Sequence, residues 1–592
     1  MNTLLKRFLV ILTVLALVFS LAACAPSEAP VEEPEEEPAE EPAEEPEEEP
    51  EEADEDVLAN AVNSYFADMP EDIYKIGQAD FIEKVANGED MFVLDIRQAD
   101  AYEEGHVLGA YNAPWGPAIA ENLDKLPTDK TVYVYCYSGQ TAGQAVATLN
   151  MAGIDAKSVN LGFNFGISKV EGYEEYIETF EYEFGEAVTE IDPSIQAALT
   201  DYYEGLADVS DTMYKNYKIS EMDLAKLRDA EDDSIYILSI RQQDAYDAGH
   251  IAGADLIPWG AGMEQEFDKL PMDKTIVVYC YSGQTAGQTV AGLRLLGYDA
   301  VSLNGGMGVG ANAPLGWTNK GYPVHLVEEA AADYFLNYES SNIIPSEDVF
   351  AKIDSEEDMF VLDIRQPDVY AESHIKGAVN IPWNAEFGQH VESLPMDKPI
   401  YLYCYTGQTA GQATAVLRMA GYDVQSIKYG FVLGVSNTEG YEAYLETEAN
   451  ELSAEAVSEM APAMKARVVK YFEDMAAADI KNNIISSEAA NELLEAGDES
   501  VYFLSIRQAA DYAEGHIPTA SNIPWGKDMN LEFNTLPRDK TIIVNCYSGQ
   551  TAGQAVAVMR FLGYDAVSLK SGMGTPVTAP SGWANEGFEV VQ

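Results

Sequence analysis

One block of sequence occurs four times, with the same internal spacing each time, and this constrains the chain more than any other feature. The first half of the block reads FVLDIRQADAYEEGHVLGAYNAPWG at 92–116, YILSIRQQDAYDAGHIAGADLIPWG at 236–260, FVLDIRQPDVYAESHIKGAVNIPWN at 360–384 and YFLSIRQAADYAEGHIPTASNIPWG at 502–526. The second half centres on Cys136, Cys280, Cys404 and Cys546. Arg97, Arg241, Arg365 and Arg507 each precede their cysteine by 39 residues, and His106, His250, His374 and His516 precede it by 30. With no insertion between these points, the four copies must share one fold. Each is long enough to enclose a core, so this is a set of domains and not an open solenoid. At 592 residues the length also suits about four domains.

The copies alternate. Steps between the cysteines are 144, 124 and 142 residues. Copies one and three read LDIR and continue with LGFNFGIS or YGFVLGVS; copies two and four read LSIR and continue with GGMGVG or SGMGTP. A two-domain A–B unit, duplicated once, accounts for the pattern. The ranges predicted are 57–192 (A), 193–328 (B), 329–453 (A) and 454–592 (B). Ahead of each copy runs an amphipathic stretch with adjacent aromatics (Tyr65-Phe66, Tyr202-Tyr203, Tyr334-Phe335, Tyr471-Phe472), read as packing against the domain.

Within a copy, short apolar runs such as Phe92–Ile96 and Val132–Cys136 read as buried strands, and Ala145–Met151 reads as helix ending near Gly153. Alternating strands and helices predict an α/β domain: a doubly wound parallel sheet with helices on both faces.

The N-terminus reads differently. Lys6 and Arg7 precede an apolar run from Phe8 to Ala23 that is shorter than the ~20 residues of a spanning helix. Leu21-Ala22-Ala23-Cys24 resembles the bacterial lipobox. It implies a signal peptide over 1–23, lipidation of Cys24, and a chain exported and lipid-anchored to the outer face of the cell membrane. The tract 31–56 holds 17 acids, no base and regular prolines, so residues 24–56 read as an extended, disordered linker that neither buries a core nor runs as a helix. Of the net charge of −66, residues 1–30 carry +1 and 31–56 carry −17, which leaves −50 on the folded part. That balance excludes nucleic acid as a partner, because phosphate binding needs basic patches.

The cysteines carry the chemistry. One per copy, more than a hundred residues apart, they form no disulfide framework and read as single reactive thiols. Each ends a strand and opens a loop into a helix: Cys136-Tyr137-Ser138-Gly139-Gln140-Thr141, Cys280-Tyr281-Ser282-Gly283-Gln284-Thr285, Cys404-Tyr405-Thr406-Gly407-Gln408-Thr409 and Cys546-Tyr547-Ser548-Gly549-Gln550-Thr551. A sulfur there faces unpaired N–H groups and the positive end of the helix dipole, which favours a thiolate or persulfide anion. The glycine lets the backbone curl, and hydroxyls such as Ser138 and Thr141 are placed to donate to the sulfur.

The DIR segment, the Gly105-His106-Val107 turn leading to Asn112 and Pro114-Trp115, and the CxxGxT loop together resemble the rhodanese-like sulfurtransferase family over nearly all of 57–592. The resemblance implies that each loop cysteine is a nucleophile. It takes sulfane sulfur from a donor such as thiosulfate or mercaptopyruvate and passes it, through a persulfide, to a thiol or cyanide-like acceptor. It implies no cofactor beyond the covalent persulfide; no metal-ligand spacing or nucleotide-binding glycine pattern is present. Threonine closing the loop matches the thiosulfate and mercaptopyruvate enzymes, whereas tyrosine at the second position matches neither. The four arginines are the nearest cations to an anionic donor; we read them first as structural ion pairs with the neighbouring aspartate, to be rebuilt where that residue is Ser239 or Ser505. The histidines read as turn formers, and the Pro-Trp pairs as wall packing. Two other readings stay open: a surface persulfide carrier or binding module with little turnover, and a cysteine phosphatase, which would need a longer loop closed by arginine.

Overall fold

The computed structural model describes residues 51–336, 340–452 and 456–592, with side chains from Val57 onward. The signal segment, Cys24 and residues 24–50 of the linker lie outside the described residues. The first helix, Glu51–Ala67, begins immediately after Pro50, the last proline of the acidic tract. This helix thus starts within the last six residues of the predicted linker, where the prolines have ended.

Each copy forms a five-stranded, all-parallel sheet in one order. In the first copy it runs Lys75–Ile76, Ala156–Val159, Val132–Tyr135, Phe92–Asp95, Ala110–Asn112, and the other three repeat it. The A/B alternation is visible in the backbone. In the A copies His106–Val107 and His374–Ile375 pair antiparallel with Ile177–Glu178 and Leu445–Glu446. In the B copies no strand pair stands there among the described residues: His325 donates its N–H to the His250 carbonyl while the His250 N–H donates to His325 Nδ1, and His516 and Val591 exchange N–H bonds in an isolated antiparallel bridge.

The cores show how the domains associate. One face of the first sheet has a core of its own, built on Phe81, Tyr135 and Ile167. The other face, which carries the cysteine helix Gln140–Met151, shares a core with the cysteine helix Gln284–Leu295 of the second copy. Helices Gln408–Met419 and Gln550–Phe561 pack together in the same way. The crossing is close because glycine occupies it: a Cβ on Gly143 would lie 2.2 Å from the Gln284 carbonyl oxygen, and one on Gly411 2.2 Å from that of Gln550.

The aromatic stretches cross over as well. Tyr65, ahead of copy one, donates to Gln288 Oε1 of copy two at 2.7 Å, while Tyr202, ahead of copy two, donates to Gln144 Oε1 of copy one at 2.6 Å. Phe66 meets Trp259 and Phe267 edge-on, and Tyr203 meets Trp115. In the second pair Phe335 faces Trp525 and Phe472 faces Trp383. The packing anticipated for these helices is thus against the partner of the domain each precedes. The tryptophans are part of that wall.

Candidate functional site: four cysteine loops

Each cysteine follows the last residue of a central strand, and the strand passes directly into the loop. The Sγ of Cys136 accepts N–H groups from Gly139 at 3.1 Å and Ala142 at 3.4 Å. Cys280, Cys404 and Cys546 repeat both contacts at the same distances. All four sulfurs are free thiols, 2–3% exposed. The loop glycine makes this possible by taking a left-handed φ of 88–94° in every copy. The donors are backbone: among the described residues no hydroxyl of Ser138, Thr141 or their counterparts bonds a sulfur, contrary to expectation.

A segment the sequence left without a role supports the loop from behind. Phe163 and Asn164 donate their N–H groups to the carbonyls of Cys136 and Tyr137, at 2.8 and 2.9 Å, turning those oxygens away from the sulfur. Met307, Phe431 and Met573 do the same for the other cysteines. Gly162 permits the contact, since a Cβ there would sit 2.5 Å from the Cys136 oxygen. The signal was present in the glycine of each LGF, GGM, YGF and SGM motif.

The fifth loop residue does not serve the sulfur. Gln140 reaches across to the second domain, donating to Ser302 Oγ at 2.7 Å and the Leu303 carbonyl at 3.0 Å, and accepting from Gly305 N at 3.2 Å. Gln284 reciprocates with Ser158, Val159 and Leu161. Gln408 and Gln550 form the same clasp with Ser568 and Ser426. The side chains of these loop glutamines couple the loops of a pair. The loop tyrosines lie outermost, 37–43% exposed, and each phenol oxygen accepts the N–H of the glutamine after the arginine, as Tyr137 does from Gln98 at 3.2 Å.

The arginines divide by domain type. Arg97 chelates Asp95, with Nη2 to Oδ2 at 2.6 Å, caps the Gly105 carbonyl at 2.8 Å and lies over Phe163. Arg365 is bound in the same way by Asp363. Burial is the largest single influence on both guanidinium groups and loosens their protons, but the bond and charge of the aspartate together with Tyr135 or Tyr403 outweigh it, so both hold their protons more tightly than usual. In the B domains the ion pair is not rebuilt. Arg241 and Arg507 keep only the carbonyl of Gly249 or Gly515, and their Nε atoms have no acceptor among the described residues. Burial pulls Arg507 below its ordinary value, and the charges of Tyr547, Asp511 and Cys546 act against that. The buried His106 bridges the carbonyls of Tyr102 and Phe180 and stacks on Tyr102, a structural placement. Beside the first loop an open groove of about 520 Å³ is lined by Arg97, Tyr137, Phe163 and Asn164.

A strand-end cysteine cupped by peptide N–H groups at a helix start, on a five-stranded parallel sheet, is placed to act as a nucleophilic thiolate. The rhodanese-like domain family matches residues 78–167, 221–311, 346–436 and 486–574, and the chain belongs to that family, as four tandem domains. It is 33% identical over 107 residues to a sulfurtransferase of Allochromatium vinosum, covering 17% of this chain and 98% of that protein. To thiosulfate sulfurtransferase GlpE of Pseudomonas fluorescens it is 34% identical over 79 residues, 13% of this chain and 72% of that one. A match at 34% identity to the probable adenylyltransferase/sulfurtransferase MoeZ of Mycobacterium tuberculosis spans only 29% of that protein and 18% of this chain. The chemistry of the chain is sulfur transfer.

Proposed function

We propose that the protein moves sulfane sulfur from a small anionic donor, thiosulfate or mercaptopyruvate, to a thiol or cyanide-like acceptor through persulfides on Cys136, Cys280, Cys404 and Cys546. The observation that carries this reading is the pair of N–H groups aimed at each Sγ. With thiosulfate, the thiolate attacks the sulfane sulfur, the donor's S–S bond breaks, and its electron pair leaves on sulfite. The persulfide anion occupies the same N–H cup. An acceptor thiolate then takes the terminal sulfur and the cysteine leaves as thiolate. No general base is needed in either step, which agrees with histidines committed to backbone carbonyls. The GlpE likeness favours thiosulfate as donor. We further propose that the chain is lipidated at Cys24 and displayed on the outer face of the membrane; among the described residues no helix is long and apolar enough to cross one.

One digest tests both. After exposure to thiosulfate, each of the four loop peptides should gain the mass of one sulfur and lose it on adding cyanide, and the N-terminal peptide should begin at Cys24 carrying acyl groups. Loops that stay unmodified by thiosulfate or mercaptopyruvate would refute the transfer reading, while loading without release would favour the carrier.

A further inference from the structure

The first strand of each domain is two residues long and lies at the edge of its sheet: Lys75–Ile76, Lys218–Ile219, Ile343–Ile344 and Ile484–Ile485. In register, Lys75 lies beside Ser158, Lys218 beside Ser302, Ile343 beside Ser426 and Ile484 beside Ser568. Side chains of parallel neighbours in register emerge on the same face. These four serines identify that face, for they are the ones clasped by the partner domain's loop glutamine. Ser302 Oγ accepts from Gln140 and Ser158 Oγ from Gln284, both at 2.7 Å; Ser426 accepts from Gln550 at 2.9 Å and Ser568 from Gln408 at 2.8 Å. Gln140 stands four residues beyond Cys136. The first position of each edge strand thus looks across the interface at the cysteine loop of the other domain, while Ile219 turns into its own core. Lysine occupies that position twice, in the N-terminal pair, and isoleucine twice, in the C-terminal pair.

We propose that Lys218 and Lys75 are the cationic partners, across the interface, of Cys136 and Cys280, and that Ile484 and Ile343 leave Cys404 and Cys546 without one. The N-terminal pair thereby holds its sulfurs as anions at lower pH than the C-terminal pair and is the first to be loaded by an anionic donor. Its meaning for sulfur transfer rests on the function proposed above, but the pairing itself does not. The electrostatics have the same crossed sense. Burial lowers the proton affinity of both lysines; opposing it are the charges of Cys136 and Glu221 on Lys218, and that of Cys280 on Lys75.

The other charges around the loops are these. Cys136 and Cys404 sit near arginines neutralised by Asp95 and Asp363, and near the phenols of Tyr137 and Tyr405. Cys280 and Cys546 sit near Arg241 and Arg507, which bond no carboxylate directly, and near the phenols of Tyr281 and Tyr547; in the fourth domain Asp511 also accepts the Tyr547 hydroxyl and acts on Arg507, where the second domain has Ala245. On the partner side, Glu221 is held by the Gly316 N–H, and Asp72 by Lys157. Lys428 and Lys570, where the first pair has Asn160 and Asn304, are exposed to solvent. Within each domain type the half-buried edge-strand position thus differs as lysine against isoleucine; Glu221, where the fourth domain has Ser487, and Tyr279, where it has Asn545, are further buried differences, so the single substitutions below isolate the lysine.

The test is alkylation of the full chain by iodoacetamide as a function of pH, read as the rate at each of the four cysteine peptides by mass spectrometry. Midpoints report ionisation even where burial makes the maximal rates differ. The midpoint of Cys136 should lie below that of Cys404, and Cys280 below Cys546, each by about one pH unit, the low end of what an opposite charge does to a neighbouring group. Lys218→Ile should raise the midpoint of Cys136 and leave Cys280 in place, Lys75→Ile should do the reverse, and Lys218→Arg should retain the low value. The fold already accepts isoleucine at this position in the other pair. Equal midpoints within a type, or a Lys218→Ile effect that falls on Cys280 or on neither cysteine, would overturn the proposal. Crossed shifts in a protein that gains no sulfur from thiosulfate or mercaptopyruvate would leave the pairing intact and overturn the transfer reading instead.

Discussion

Replacing Gly143 with alanine should separate the first two domains. The new Cβ would stand 2.2 Å from the Gln284 carbonyl oxygen, where an ordinary contact needs about 3.4 Å. The obstacle is backbone, so no rotamer change relieves it and the two helices must part by about 1 Å. Overpacking of that kind costs about 1–3 kcal/mol. The same movement stretches the Gln140–Ser302 and Gln284–Ser158 hydrogen bonds, both 2.7 Å, beyond bonding distance, at about 1 kcal/mol each. The loss, roughly 3–5 kcal/mol, corresponds to about 2–4 °C per kcal/mol for a unit of this size. Calorimetry should therefore show the N-terminal pair melting at least about 5 °C lower. Gly411→Ala should do the same to the C-terminal pair, where the clash is also 2.2 Å. Gly526→Ala, with nothing within 4 Å of its Cβ, is the neutral control. A Gly143→Ala protein that melts with the wild type would refute the close helix crossing, and with it the claim that the loops of a pair are mechanically coupled.

Two further outcomes follow from buried charge. Asp95→Asn or Asp363→Asn removes the only carboxylate bound to a buried guanidinium and should destabilise its domain by about 3–5 kcal/mol in denaturant titration. Ser239→Asp, which offers Arg241 the acceptor it lacks, should not lower stability. At the junction of the second and third domains, His250 stacks on His325 with ring centroids 3.8 Å apart, and burial together with His325 lowers its pKa from 6.5. The folded state then binds fewer protons than the unfolded chain, so the stability this contact contributes is present above pH 6.5 and is lost as pH falls below it. The protection of the helix His325–Leu336 against hydrogen exchange, relative to the intrinsic rate at each pH, should fall between pH 7 and pH 5, and His325→Gln should flatten that dependence.

Most of the fold and the position of the reactive sulfurs were legible because they are local. Strand Val132–Tyr135, the glycine loop and helix Gln140–Met151 are contiguous, and their chemistry depends on backbone that a short motif specifies. The ion-pair reading of Arg97 was also local, since Asp95 is two residues away. What escaped the sequence is non-local. Gln140 looks like one more loop residue until Ser302, 162 positions later, is found beside it. Gly162 lies behind Cys136 only because two strands are adjacent. The aromatic helices were recognised as packing elements, but nothing in their own pattern states which of two homologous domains they cover. The same limit hid Lys75 and Lys218, which stand beside no motif and acquire a partner only through the crossed arrangement.

That arrangement also bears on how an anionic donor reaches these sites at all. The chain carries 34 basic and 100 acidic residues, so its overall field repels thiosulfate. At physiological ionic strength charges beyond about 8 Å are largely screened, which makes the cations nearest each loop decisive. Several of the remaining basic groups are committed to joints: Arg538 is bound by Asp229 across the second and fourth domains, and Arg228 by Glu328. Near the sulfurs, two arginines are neutralised by their own aspartates. The cations left for the loops are Arg241, Arg507 and the edge-strand lysines contributed by partner domains. Pairing the domains through the glutamine clasp therefore does more than stabilise them. It brings to the Cys136 and Cys280 loops a positive charge that neither domain's own motif contains.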